Sequence, residues 1–475
     1  MFNSLRREKG RKVFIIGLDC GEPSLVFDRW RDDLPTLRHL MEAGAYGPLT
    51  STIPCITVPA WCSMTSSKDP GVLGFYGFRN RADYSYDKMS IATGAAVHTP
   101  RVWDLLGQAG KQVILSGVPQ TYPVQPVNGY LVSDFLTPSI QSQYTYPNEF
   151  RHEIDRLLGG REYDVDVRQF RTSDKSFLLK QIYEMTEKHF IVLNHLLKTR
   201  PWDFSMFVEM GVDRIHHGLW SYMDPAHPKH APGNPYQNAI KEYYQTVDRE
   251  LGAMLSALDD DTAVLVVSDH GAQTMDGGIC INEWLRREGF LVLKEEPVRQ
   301  GNRPIPIEKV EIDWEKTTAW GAGGYYARIF LNVQGREPQG FIPQAGYEKV
   351  RDQLAAAIEA IPDPQGRPLH HVCHRPEAIY HEVRNFAPDL IVYLGDLRWR
   401  AVGSFGFDSI YTFENDTGPD DANHAQDGLI IYYDPRQNWH GRRLSGLNLM
   451  DVAPTVLYLM EQPVPNDMQG RIIQP

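Results

Sequence analysis

The chain has 475 residues, 42% apolar and 23% charged, which suffices for one large α/β domain with insertions or for two to three ordinary domains. Its formal charge of −12 excludes a sequence-independent grip on a nucleic-acid backbone, which needs a basic surface. The five cysteines are widely spaced with no CxxC pair, and no run approaches the roughly 18 apolar residues of a membrane span; these features exclude a disulfide framework and a membrane partner and predict a soluble cytoplasmic protein.

Short apolar runs alternate with amphipathic stretches, the pattern of an α/β fold. The basic start MFNSLRREKGRK leads into VFIIGL, six apolar residues and too few for a signal-peptide core. That run, 13–18, predicts a buried first strand. Residues 34–43 predict a helix ended by Gly44, and 57–66 a second helix with Pro59 in its first turn, where a missing N–H costs nothing. Strands are predicted at 113–116 and 203–208, with a helix at 176–197 between them. A helix at 238–258 precedes the clearest strand, AVLVV at 263–267, whose β-branched run is bounded by an Asp triplet and by SDHG. A helix at 347–360, strands at 390–393 and 429–433, and a helix at 448–460 complete the pattern. Residues 119–171, rich in Tyr, Pro and Gln, and 295–381 fit the alternation poorly. They are read as insertions over one edge of the sheet that form a cap, which leaves 11–118, 172–294 and 382–475 as the core.

In an open α/β sheet, ligands bind at the carboxyl ends of the strands. Asp19 follows VFIIGL. Asp213 follows the strand at 203–208, with His217 four residues on. Ser268, Asp269, His270 and Gly271 follow AVLVV, and His424 lies shortly before LIIYY. Asp213 and His217 share one helix face, since residues i and i+4 stack; His216 is equally available by composition, and the spacing favours His217. Asp and neutral His suit Zn²⁺, Mn²⁺ or Fe²⁺, and six such ligands match two metals that each keep an open position. A single aspartate after a strand is ordinarily a cap or turn residue. Their joint placement is what points to a metal site.

Thr57 opens a helix in TIPCITVPAW. As an N-cap it would need no further role. Beside divalent cations its hydroxyl becomes a nucleophile, and the helix N-terminus adds N–H donors for a phosphate. The two roles are compatible.

These stretches resemble the type I phosphodiesterase/nucleotide pyrophosphatase family of the alkaline phosphatase superfamily. The matching pieces are GLDCGEP (17–23), TIPCITVPAWCSMTSSKDPGVLGFYGF (52–78), GVDRIHHGLW (211–220), VVSDHG (266–271), NHAQDGLII (423–431), LMDVAPTVLYLM (449–460) and PVPNDMQGR (463–471), in the family's order. The resemblance implies an alkaline-phosphatase-like α/β core, with a central mostly parallel sheet flanked by helices and inserted cap regions. It implies two divalent ions, zinc or manganese, one held by Asp19, Thr57, Asp269 and His270 and the other by Asp213, His217 and His424. Thr57 would attack phosphorus and form a phospho-threonine that water then hydrolyses. The substrate would be a small phosphate ester or a nucleotide-like molecule. Two departures bear on substrate contacts. Leu73-Gly74 stands where the nucleotide enzymes carry His-Gly, and Phe78 stands near their phosphate-holding Asn, with Asn80 two residues later. Tyr76, Phe78 and Asn80 are therefore the candidate substrate contacts, and Trp61, Phe75, Tyr76 or Phe78 could stack a base.

Cys55-Ile56-Thr57-Val58 lacks the Pro and Arg of a sulfatase site, and a threonine argues against the serine-nucleophile branches. Phosphonoacetate-hydrolase-like or phosphomonoesterase activity remains an alternative. So does a non-catalytic metal-containing binding protein, whose mark would be a lost nucleophile or ligand; none is lost.

Overall fold

Strand Val13–Leu18 lies near the middle of a ten-stranded sheet. The computed structural model describes residues 11–297 and 304–474. Five strands run parallel side by side, in the order Ala263–Val267, Val13–Leu18, Phe204–Glu209, Val113–Ser116 and Gly129–Val132. Asp427–Tyr433 joins antiparallel beside Ala263–Val267 and carries Ala45–Thr50 on its other side. The sheet is thus mixed, large and mostly parallel.

Strand side chains alternate between faces, so each strand feeds two apolar layers. Phe14, Ile16 and Leu18 pack under helices Pro35–Ala43, Lys175–Thr199, Gly211–Met223 and Ala239–Leu255. Val13 and Ile15 pack under Thr57–Ser66, Val102–Gln108 and Val452–Leu459. Full burial of each such side chain contributes roughly 1.5–3 kcal/mol, so both layers are held by many comparable terms. Gly17 has a positional reason: a Cβ there would lie 2.5 Å from Cη2 of Trp61. Its absence lets the helix Thr57–Ser66 press its indole onto the strand.

Part of 119–171 extends the sheet. Gly129–Val132 and Thr145–Tyr146 are its last two strands, with helix Phe150–Leu157 following. The strand Leu390–Tyr393, which the sequence pattern places in the core, belongs instead to a second, four-stranded antiparallel sheet with Ala319–Ala322, Ala327–Leu331 and Val372–His374. Gly277–Cys280, Trp399–Val402 and Tyr411–Thr412 form a three-stranded sheet beside it. One apolar cluster, running from Ile279 to Phe405, fills this second unit. It therefore starts earlier and ends later in sequence than 295–381, because its strands are short runs whose sheet membership is decided by packing. The helix expected at 448–460 is Val452–Leu459, preceded by a 3₁₀ turn, Leu449–Asp451, capped by Asn448. Among the described residues, no helix is long and apolar enough to cross a membrane.

Candidate active site

The parallel strands end on one side of the sheet, and the six Asp and His candidates collect there. All six are at most 2% exposed. Asp19 follows its strand directly. Its Oδ2 accepts the Trp61 indole N–H at 2.7 Å, and its Oδ1 has no hydrogen-bond partner. Asp269 accepts the Cys20 backbone N–H on Oδ1 at 3.1 Å, and its Oδ2 has no hydrogen-bond partner. His270 Nδ1 donates to the Gly271 carbonyl at 3.1 Å. Its Nε2 then faces Asp269 Oδ2 at 3.1 Å, Thr57 Oγ1 at 3.5 Å and Asp19 Oδ1 at 4.0 Å. Ligand atoms of Asp19, Asp269 and His270 all lie within 4.8 Å of one another.

The second trio is met in pieces. Asp213 clusters with His270 and His424, and separately with Cys20 and His217. The His217 and His424 rings are 5.4 Å apart between centroids. Asp213 and His217 sit one helical turn apart on Gly211–Met223, with Oδ1 to Nε2 at 3.1 Å. His217 Nδ1 donates to Asp420 Oδ1 at 2.8 Å, and His424 Nδ1 to the Cys55 carbonyl at 2.8 Å. With Nδ1 engaged, each imidazole presents Nε2 to the site, and Nε2 of His424 has no hydrogen-bond partner. Metal-binding histidines are oriented in this way by carboxylate or carbonyl acceptors. His216 differs: it packs against Tyr244 and Trp220, and burial pushes its pKa down to about 3.

Burial and the crowding of charged groups shape the electrostatics of the site. Burial raises the Asp19 carboxyl well above its usual range, and neighbouring Asp269 and Asp213 raise it further. Burial opposes charge on His217, but Asp420 and Asp213 override it and lift its pKa to about 10. His424 is pushed well down by burial and by His270 and His217. Unpartnered buried carboxylate oxygens cost free energy unless neutralised. Asp19 Oδ1, Asp269 Oδ2 and His424 Nε2 therefore fit divalent ions, with oxygen and imidazole donors suited to Zn²⁺ or Mn²⁺.

Thr57 is the first residue of its helix, 5% exposed, and its side chain makes no cap bond; the cap position itself is Ile56. Thr57, Asp213, His217 and His424 line one cleft of about 990 Å³ between the main sheet and the second unit. Phe78 lines it as well. Tyr76 and Asn80 do not. Tyr76 is 1% exposed and donates its hydroxyl to the Arg384 carbonyl at 2.6 Å. Asn80 closes the local turn, accepting the Tyr76 N–H at 2.6 Å and donating to the Gly77 carbonyl at 2.9 Å. Trp61 and Phe75 are buried in the core layers rather than offered to a base.

The structure adds residues that the sequence reading missed. Tyr325 reaches in from the second unit, its ring 4.8 Å from His217 and 4.2 Å from His424, and donates its hydroxyl to Asp420 Oδ2 at 3.0 Å. Arg171 also binds Asp420, at 3.3 Å. Arg214 lines the cleft beside Asp213. Asp420 stands four residues before His424 in DDANH, the one local signal available; the others become neighbours through tertiary packing.

A family model described as type I phosphodiesterase / nucleotide pyrophosphatase matches residues 13–420. Among solved structures, murine ectonucleotide pyrophosphatase / phosphodiesterase 5 is similar at 13% identity and a TM-score of 0.54, over 96% of this chain and 97% of that one. Its human counterpart is similar at 12% identity and a TM-score of 0.55, over 96% and 97%. Phosphonoacetate hydrolase from Sinorhizobium meliloti, in complex with phosphonoformate, is similar at 16% identity and a TM-score of 0.57, over 97% and 98%. A search of curated proteins gives no match. At these identities the structural likenesses establish the fold.

Proposed function

The chain belongs to the type I phosphodiesterase/nucleotide pyrophosphatase family of phosphoester hydrolases, and on that premise we propose that it cleaves small phosphodiesters or nucleotide-like pyrophosphates through a covalent intermediate on Thr57. The observation that carries the reading is the set of buried ligand atoms without a hydrogen-bond partner, Asp19 Oδ1, Asp269 Oδ2 and His424 Nε2, the first two facing His270 Nε2, which lies 3.5 Å from the Thr57 hydroxyl.

Asp19, Thr57, Asp269 and His270 would hold one divalent ion, and Asp213, His217 and His424 a second. Zinc or manganese ions, when bound, supply Lewis-acid stabilisation of phosphoryl oxygens and ease deprotonation of the threonine hydroxyl and of water. Thr57 Oγ1 attacks phosphorus: the Oγ1–P bond forms, the bond to the leaving oxygen breaks with its electron pair, and the Thr57 proton leaves to solvent. Water then attacks the phospho-threonine, the Oγ1–P bond breaks, and the free hydroxyl returns. The helix Thr57–Ser66 would offer the phosphate the N–H groups of Thr57 and Val58, since Pro59 carries none and the first intrahelical bond runs from the Ala60 N–H to the Ile56 carbonyl at 3.0 Å. Trp61, Cys20, Cys55 and Asp420 fix the ligand orientations, so little reorganisation is needed when charge develops. Five cysteines without a disulfide support a cytoplasmic setting.

The test is hydrolysis of bis-p-nitrophenyl phosphate with Mn²⁺ or Zn²⁺, before and after chelation, followed by a panel of nucleotides, monoesters and phosphonates. Metal-dependent diester turnover supports the reading. Faster phosphonoacetate cleavage would favour the phosphonate alternative, suggested by the similar hydrolase. Bound metal without turnover on any panel member would favour a binding protein.

A further inference from the structure

Phosphoryl transfer places negative charge on the three equatorial oxygens of the transferring group, and fixed donors aimed at those oxygens lower the barrier. The expected side-chain donor here, Asn80, has its amide engaged in its own turn and lies off the cleft. The site therefore needs another donor, and the cleft wall holds one beside the ligands.

Arg214 is 8% exposed, lines the same cleft as Thr57, and adjoins Asp213 in sequence and space. Its Nη1 donates to Asp213 Oδ2 at 2.5 Å. Its Nε and Nη2 form a fork to Asp166 Oδ1 and Oδ2, at 2.8 and 2.7 Å. Phe170 and Phe135, both on the cleft wall, lie 4.6 and 5.6 Å from the guanidinium carbon. A guanidinium carries five N–H groups. The three contacts use one each on Nε, Nη1 and Nη2, which leaves one on each terminal nitrogen. The result is a planar cation locked by a carboxylate fork and two rings, with two unspent donors, one residue from a candidate metal ligand. Arg171, on the same cleft, is a poorer candidate because its Nε contacts Asp420, the support of His217, and not a candidate ligand itself.

We propose that Arg214 is a catalytic residue that donates to a non-bridging oxygen of the phosphoryl group while Thr57 attacks, taking the place that Asn80 cannot fill. Asp166, from the 119–171 segment, is its positioning residue. This rests on the functional reading above. The competing role for Arg214 is indirect: it would merely orient Asp213 as a ligand.

The experiment uses the full-length, metal-loaded protein, with Arg214→Ala and Arg214→Lys. Four quantities are measured: bound metal, melting temperature, diester kinetics, and orthovanadate affinity by calorimetry. Vanadate adopts the five-coordinate shape of the transition state and reports without turnover. Parent-level metal is expected in Arg214→Ala, with kcat down about 10²–10³-fold, KM little changed, vanadate binding weakened by a similar order, and part of the rate restored by added guanidinium ion. Sulfur in place of a non-bridging oxygen should cost the parent more than it costs the variant. If Arg214→Ala fails to fold, Arg214→Lys must show the kcat and vanadate losses. Parent-level kcat and vanadate affinity in a loaded variant would overturn the proposal. So would a loss of bound metal whose restoration returns the full rate, because Arg214 would then act only through Asp213. A parent protein that neither turns over nor binds vanadate would fail the functional reading itself.

Discussion

The two halves of the candidate site are built differently. The Asp19, Asp269 and His270 cluster is made by the main sheet and the helix that packs on it: two strand ends, one indole and one backbone N–H. The His217 and His424 half depends on outside supports. Asp420 holds His217, and Asp420 is itself held by Tyr325 from the second unit and Arg171 from the end of the 119–171 segment. His424 sits on a two-stranded ribbon that pairs Ala422–Ala425 with Gly271–Thr274. The first half is thus fixed once the sheet folds. The second is completed only when the other parts of the chain close around it, so it is the half through which those parts can tune chemistry.

The largest expected effect is on the first half. Thr57→Ala should lose about 10³-fold or more of the diesterase rate, because the covalent route is removed. Thr57→Ser should keep some activity, and melting temperature and bound metal should change little in either. A Thr57→Ala preparation that is folded, metal-loaded and near the parental rate would make Thr57 a helix residue and nothing more.

Asp269→Asn comes next. It removes a charge from the compact cluster, so one of two bound metals should be lost and no phospho-enzyme should form. Elemental analysis of matched preparations checks this; two metals retained at parental activity would reject the assignment. His424→Ala should act on the other metal and slow turnover while the Asp19 cluster stays loaded.

Asp420→Asn sharpens the contrast. It should weaken the second metal by about 10–100-fold, the usual cost of losing an orienting partner, and leave the first untouched. Titration of the metal-free protein with Co²⁺, followed by absorbance, separates the two sites. Equal weakening of both would show that the halves are not independent.

The smallest effect is on stability. Adding metal to a chelated sample at 100 times its dissociation constant should stabilise the fold by about 2.7 kcal/mol per site, less any affinity for the unfolded chain. Differential scanning calorimetry should show an upward shift, and Asp269→Asn should lose part of it.

Much of this organisation was legible in the sequence. Val13–Leu18 and Ala263–Val267 are buried β-branched runs, so both strands, and the candidate ligands that follow at once, could be read locally. The i, i+4 spacing separated His217 from His216, and the structure keeps them apart. What was illegible depended on three-dimensional closure. Leu390–Tyr393 looks like any short apolar strand, and only packing assigns it to the second sheet. Asn80 is a candidate through its place two residues after the family's phosphate-holding Asn, but backbone atoms three and four residues back take up its amide. Tyr325, Asp420 and Asp166 gain meaning only beside residues more than 40 positions away.

The central claim, a covalent intermediate on Thr57, is tested most directly by acid-quenching the metal-loaded protein during turnover of a ³²P-labelled diester and mapping the label by peptide mass spectrometry. The account predicts acid-stable phosphate on the peptide that contains Thr57, absent from Thr57→Ala. Steady turnover with no label on that peptide at any quench time, together with a Thr57→Ala rate near the parent's, would contradict it.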